Sequence, residues 1–421
     1  MTQKLLSRFS IKHSLLLIFA ATVLISLSLS SLSCSKNPAD PDDIHDNDST
    51  EIPEGFIPIS SFEELCKIGK DPKYPLDSSY ILIRDIDASP SRSMNSRKGF
   101  EPIGMKNKFT GVFDGAGHSI RNLYINWPDS ATVGMFGYIY DAQISRLHIA
   151  ADTVRGKEDV GGIVGCAERS FIDSCSFTGI VTGRKWVGGI AGIAEASKIT
   201  RCISGGIVFS DTVFGGSAGG LIGMIDNQTI VAFSYSDASV IGNHNAGGLV
   251  GYSHNESAIR QSYSTGSVNG GKGYTGGLLG FVFRGIVEEC YSTGEVIWNP
   301  PGQAGGLIGR ADTSGSTKNN SVIDRCYWDI SSSGISNSGG GAAKDTTILV
   351  ARDTTITAGG VTIDTTVSVS IDTTLYTGEQ GRESKFMKIR QTYEGWDFDN
   401  VWRIDSAKTT PYFRWHNNPF K

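Results

Sequence analysis

Residues 276–295 read GGLLGFVFRGIVEECYSTGE, and the chain writes this phrase repeatedly. Gly-Gly-apolar-apolar-Gly starts at Gly161, Gly188, Gly219, Gly247, Gly276 and Gly305, at steps of 27, 31, 28, 29 and 29 residues. A degenerate earlier copy is Gly134-Met135-Phe136-Gly137, whose first glycine aligns with Gly162. Each copy has a second half at a fixed offset: Ile120 with Leu123, Ile144 with Leu147, Ile172 with Cys175, Ile199 with Cys202, Val231 with Ser234, Ile259 with Ser262, Val287 with Cys290, Ile323 with Cys326. A column that exchanges leucine for cysteine or serine stays small and nearly apolar, as a buried position does. Its neighbour reads Tyr124, His148, Ser176, Ile203, Tyr235, Tyr263, Tyr291, Tyr327. Strand alternation turns that neighbour outwards.

Short β-branched segments broken by glycines, with no sustained 3.6-residue period, predict a β-solenoid and not a helical repeat. The glycine pairs serve corners, where either positive φ or backbone crowding forbids a Cβ. About eight coils at ~4.8 Å each would give a rod roughly 40 Å long. Both ends are expected to be covered. Ser61 and Glu64 form a capping-box pattern ahead of Leu65 and Ile68, which predicts a short helical lid. Trp396, Phe398, Trp402, Tyr412, Phe413 and Trp415 form an aromatic cluster expected to plug the far end.

The flanks are equally legible. The chain has 421 residues, 52 glycines, 13 prolines and a net charge of −5, a mild balance that argues against nucleic acid as a partner. Lys4, Arg8 and Lys12 precede an apolar run, Ser14 to Leu32, and then Ser31-Leu32-Ser33-Cys34. This predicts a signal peptide over residues 1–33, with Cys34 lipidated as the mature N-terminus; ordinary signal-peptide cleavage is the alternative. Residues 34–55 are acidic and Pro-containing, a solvated tether. The N-terminal cap is expected over 56–99, the repeat over 100–331 and the aromatic cap over 386–421. Between them, residues 332–385 carry Asp345, Asp353, Asp364 and Asp372, each before Thr-Thr. Alternating Thr, Val and Ile there predict a β-hairpin or two, with Ala358-Gly359-Gly360 as one turn, or else a low-complexity loop.

With these columns aligned, the chain resembles the GLUG-motif repeat proteins. GGLVGYSHNESAIRQSYSTGSVNG at 247–270 is close to that family's repeat, and FTGVFDGAGHSIRNLYI at 109–125 and GWDFDNVWRID at 395–405 resemble its flanking segments. The resemblance spans about Phe62 to Trp415 without the Asp-Thr-Thr segment. It implies an all-β, right-handed parallel β-helix on exported bacterial proteins, adhesin-like, with no established active site and no cofactor. Ser35 after Cys34 favours the outer membrane or cell surface by resemblance to enterobacterial sorting.

Searches for chemistry return little. No His-Glu-x-x-His exists among histidines at 13, 45, 118, 148, 244, 254 and 416, so a zinc peptidase is not expected. Gly215-Gly216-Ser217-Ala218-Gly219 has the letters of a nucleophile elbow without its strand-to-helix context. Asp114 alone cannot make a calcium loop. A polysaccharide lyase is the enzymatic alternative, with Arg201, Arg260 and Arg325 just before the inward column and Glu288 and Glu289 in a corresponding coil. The sharper expectation is an exposed aromatic stripe, Tyr235, Tyr263, Tyr291 and Tyr327, that binds extracellular glycans or a host or cell-surface protein; its rival has these rings packed under a neighbouring loop. The expected role is therefore a monomeric, membrane-tethered binding or structural module without catalysis, with an architectural spacer as a further alternative.

Overall fold

In the computed structural model the described residues are 52–211, 215–312, 321–335, 352–358, 361–367, 381–405 and 407–415, with 352–358 and 361–367 as backbone only. The leader, Cys34 and most of the tether lie outside them.

Short parallel strands wind into a solenoid with four walls. The turn that carries the quoted phrase uses Tyr274–Gly276 for wall 1, Leu279–Phe283 for wall 2 and Ile286–Glu288 for wall 3. Wall 4 is Tyr291–Ser292 followed by Val296–Ile297. Each strand pairs in parallel with the same wall of the adjoining turns. Among the described residues walls 1 and 2 each contain seven strands and wall 3 contains ten, so seven turns are complete where eight coils were expected. The first copy falls short for a sequence reason: no Gly-Gly phrase precedes it. It supplies Val112–Asp114 to wall 3 and Ser119–Asn126 to wall 4, while wall 2 receives single bridges from Ile103 and Phe109.

From the second copy onward register keeps the motif columns vertical; the first copy departs from the expected alignment, since Phe113 and not Ile120 pairs with Ile144, and Ser119 and not Tyr124 pairs with His148. Gly161, Gly188, Gly219, Gly247, Gly276 and Gly305 stack in wall 1. Of the two reasons for these glycines, crowding is the operative one. A Cβ on Gly276 would lie 2.2 Å from the Leu279 carbonyl oxygen, and one on Gly277 would lie 2.2 Å from that of Gly306. The left-handed corners fall elsewhere, on non-glycine residues. Arg146, Ser174, Arg201, Phe233, Gln261, Glu289 and Arg325 have φ between 46° and 54° and turn wall 3 into wall 4. Such conformations cost about 1 kcal/mol or more each and persist only where the stack over-determines them.

The next residue inward is the cysteine–serine column. Cys175, Cys202, Ser234, Ser262, Cys290 and Cys326 are all at most 1% exposed. Each donates to the carbonyl two residues back: Cys290 Sγ to Glu288 O at 3.1 Å, Ser262 Oγ to Arg260 O at 2.7 Å. One local geometry thus satisfies either a thiol or a hydroxyl, which is why the column alternates between them. The six described cysteines are free thiols.

At the N-terminal end Ser61 caps the helix Phe62–Leu65, while the Glu64 carboxylate turns back to the Ser60 N–H (2.7 Å) and hydroxyl (2.8 Å), one residue earlier than a capping box would have it. Leu65 and Ile68 are buried in the solenoid core. In the last turn, Trp328 is 1% exposed and joins that core, its Nε1 donating to Ile335 O at 2.9 Å. The C-terminal aromatic cluster forms, and its placement differs from a plug: it lies along wall 4 against tyrosines of four successive turns. The Asp-Thr-Thr segment contributes an antiparallel pair, Arg352–Ala358 with Val361–Val367.

Candidate functional site

The tyrosine column stacks in register as alternation demands. Tyr235 and Tyr263 lie 4.7 Å apart between ring centroids and 3° from parallel, Tyr263 and Tyr291 4.8 Å and 7°. The rings point away from the solenoid core, yet Tyr235, Tyr263, Tyr291 and Tyr327 are only 5, 0, 0 and 9% exposed. Met387, Tyr393, Trp396, Phe398, Trp402 and Phe413 cover them. The exposed stripe read from the sequence is therefore corrected: these four rings are the floor beneath a C-terminal lid. The physical reason is that a row of four rings is a large apolar surface, and the chain's own aromatic segment removes it from water.

A second outward-facing feature lies on the other side of the coil, where wall 1 meets wall 2. In wall 1 the residue two before the first glycine faces outwards, giving the stacked column Asp159, Trp186, Ser217, Asn245, Tyr274 and Gln303. In wall 2 the outward column includes Tyr138, Cys166, Ile193, Met224, Tyr252 and Phe281, and ends on Arg310. These two columns touch. Trp186 packs with Cys166, Ile193 and Met224, Tyr274 lies 5.1 Å from Phe281, and Arg310 Nη1 donates to the Tyr274 hydroxyl at 2.8 Å. Outward side chains of adjoining walls can meet only across a concave corner. A trough therefore runs along the solenoid, its bottom filled by these side chains, several of them buried, and the crowded glycine pairs make its angle possible.

Its electrostatics are acidic. Glu168, Glu195 and Asp226 stack in register on wall 2, one per turn. Glu168 is held by Lys108 at 3.2 Å and by the Tyr138 hydroxyl, which together keep its carboxyl low. Asp226 faces His254 at 3.2 Å. Glu195, between them, is pushed up by burial first and then by Asp226 and Glu168. Asp159 is raised to about 6, chiefly by burial and further by Glu158 and Glu195, against the opposing pull of Lys185. Burial among these carboxylates also pushes the Cys166 thiol up, which keeps it protonated and unreactive. Three polar acceptors of the wall 1 column have no hydrogen-bond partner: Asp159 Oδ1, Asn245 Oδ1 and Gln303 Oε1.

The remaining candidates are accounted for structurally. Arg201 pairs with Asp173, Arg260 with Glu288 and Arg325 with Glu289, each between neighbouring turns, so all three guanidiniums are engaged in cross-turn ion pairs. Ser217 is 1% exposed within a wall 1 strand, with no strand-to-helix turn. Asp114 binds Arg146 and the Ala116 N–H, as a turn residue would. A pocket of about 210 Å³ near the N-terminal cap, lined by Ile68, Leu76 and Met105 among others, contains Glu101 already neutralised by Lys70 and Lys106. Among the described residues no three His, Cys, Asp or Glu side chains converge as metal ligands.

The family model described as the GLUG motif matches residues 242–269, the turn that contains Asn245. The chain is a GLUG-motif β-helix repeat protein. Halomucin of Haloquadratum walsbyi is 35% identical over 137 residues, which is 31% of this chain and 2% of that protein. Among solved structures, a proposed immunoglobulin A1 protease from Bacteroides ovatus matches 86% of this GLUG-motif chain and 92% of its own, at 17% identity and a TM-score of 0.48. A second, named IgA1 protease, matches 64% of this chain and 19% of its own, at 19% identity and a TM-score of 0.41. At these levels the activity named for those proteins is not transferred.

The trough escaped the sequence reading. Its wall 1 bank is the position two before each glycine pair, which is chemically varied (Asp, Trp, Ser, Asn, Tyr, Gln), as is the wall 2 column that meets it, so neither stands out in the repeat.

Proposed function

We propose that the chain is an exported, envelope-tethered binding module that holds an extended ligand along its solenoid and carries out no chemistry of its own. The observation that carries this reading is the trough between walls 1 and 2, with aromatic side chains on both banks and unpaired polar atoms along one of them. Such a surface recognises a ligand by many repeated small contacts, which suits a repeat scaffold. The leader and Cys34 support delivery to the outside of the cell, with the acidic tether holding the module off the membrane. The likeness to halomucin over part of the chain agrees with an extracellular or surface setting.

The test is a screen of the purified protein against glycans, host and bacterial cell surfaces and their extracted proteins. Saturable binding to any of them supports the reading. Absence of binding throughout would leave an architectural spacer, and calcium-dependent release of unsaturated sugars would replace it with a lyase.

A further inference from the structure

We propose that Cys175 with Cys202, and Cys290 with Cys326, are disulfide sites: two staples between adjoining turns that close as the exported chain folds. The pairing rests on the geometry of the buried column, and the supply of oxidant rests on the export reading above.

The cysteines of that column come in adjacent twos. Turn by turn it reads Leu147, Cys175, Cys202, Ser234, Ser262, Cys290 and Cys326. Asp173 pairs with Thr200 and Ser176 with Ile203, so Cys175 and Cys202 occupy opposed positions in neighbouring turns. Glu288 pairs with Asp324 and Tyr291 with Tyr327, which does the same for Cys290 and Cys326. Opposed parallel positions stand ~4.8 Å apart, within the range of about 4.4–6.8 Å that a disulfide spans between Cα atoms. All four side chains are buried in one core, and in each pair the two thiols are within hydrogen-bonding reach of one another. The later thiol of each pair leans back to the turn of the earlier one: Cys202 Sγ lies 3.7 Å from Ile172 O and Cys326 Sγ 3.5 Å from Val287 O. Closure asks that Cys175 and Cys290 rotate about Cα–Cβ, and the thiol hydrogen bonds given up are weak ones.

The connectivity is unique. Cys202 and Cys290 are three turns apart, ~14 Å along the axis, too far to bridge. Cys166 faces out of wall 2 between Tyr138 and Ile193, and Cys66 ends the helix of the N-terminal cap; neither meets a cysteine among the described residues.

Burial sets the timing. Burial first, and then the neighbouring thiol, pushes Cys202 and Cys290 well above the ordinary thiol range. Exchange with a disulfide needs a thiolate, so the staples close before the turns stack. One cysteine thiolate attacks an external disulfide, such as glutathione disulfide, and expels one thiolate. The second cysteine then attacks the mixed disulfide and expels the other. Two cysteine thiols are oxidised, the external disulfide is reduced to two thiols, and both cysteine protons pass to the leaving thiolates. Once the turns have stacked, neither bond is open to reductant. The second staple fastens the last turn, which carries Tyr327 and Trp328, to the one before it.

The experiment refolds the purified full chain from urea with glutathione and glutathione disulfide. Free thiols are alkylated in denaturant without reduction, and cross-linked tryptic peptides are read by mass spectrometry. Arg184 and Arg201 separate the first two cysteines and Arg310 the second two, so each link joins distinct peptides. Links Cys175 to Cys202 and Cys290 to Cys326 are expected, with Cys66 and Cys166 alkylated. The native linked protein should keep both links in dithiothreitol and lose them once urea is added. Refolding under reductant should lower the melting temperature by ~5 °C or more. Cys326→Ser, a residue the column already uses at Ser234 and Ser262, should lose only the Cys290 link and melt between the linked and the reduced parent. Four alkylated column cysteines, any other pairing, or equal melting of linked and reduced protein overturns the staples. If the links form on refolding while protein taken from cells has all four alkylated, the sites stand and the export reading fails. If both samples give free thiols, the sites themselves fail.

Discussion

At the scale of single residues, the two kinds of corner make opposite demands. Gly276 has ordinary φ but no room, with backbone atoms 2.2 Å from a built Cβ. Gly117 has φ of +87° and open space around it. Gly276→Ala is therefore expected to cost about 3 kcal/mol or more, because backbone must move, and Gly117→Ala roughly 1–2 kcal/mol of left-handed strain. Urea denaturation of both variants measures the order, and a smaller loss at Gly276 would contradict the crowding argument. Asp159 gives a pH prediction with a definite sign. Its folded pKa is about 6 against an ordinary carboxyl near 4, so the native state holds the proton more tightly than the unfolded one. Its contribution is favourable at low pH, declines as pH rises from about 4, and is fully lost above about 6. Asp159→Asn removes that loss. It should raise the melting temperature at pH 7.5 and leave it nearly unchanged at pH 4; equal shifts at both values would show that charge is not the cause.

At the scale of elements, the tyrosine ladder and its lid behave as one unit, and two neighbouring hydroxyls in it have different standing. Tyr291 donates to Pro411 O, tying wall 4 to the lid. The Tyr263 hydroxyl is buried without a partner. Tyr291→Phe should therefore destabilise by about 1 kcal/mol or more, while Tyr263→Phe should be neutral or stabilising because it removes a desolvated polar atom. Thermal unfolding of the pair checks the sign difference. The ladder itself was legible in the sequence, as was its outward direction. What hid it from solvent was not, because the lid is nearly sixty residues past Tyr327, and nothing local in either segment announces that they meet. The trough was hidden for a related reason. Its floor is assembled from residues in different turns, and no two of its acceptors are near each other in the chain.

At the scale of the whole molecule, a solenoid is stabilised turn against turn, so its sides as well as its ends must be protected. The C-terminal segment protects a side. Deleting residues 386–421 should uncover Tyr235, Tyr263, Tyr291 and Tyr327 together and produce concentration-dependent association in sedimentation velocity. A truncated chain that stayed monomeric with an unchanged melting temperature would mean the lid is dispensable. By itself the sequence determined the parallel β-solenoid, the repeat columns and the burial of the cysteine–serine column. A period of roughly 28 residues with β alternation admits few other ways to bury one face of each strand. Tertiary structure alone decided which outward column is covered, which corner folds inward to make a trough, and that seven turns close on all four walls. Periodicity fixes which residues share a face; the angle between faces and the segment that lands on them depend on contacts between positions far apart in the chain.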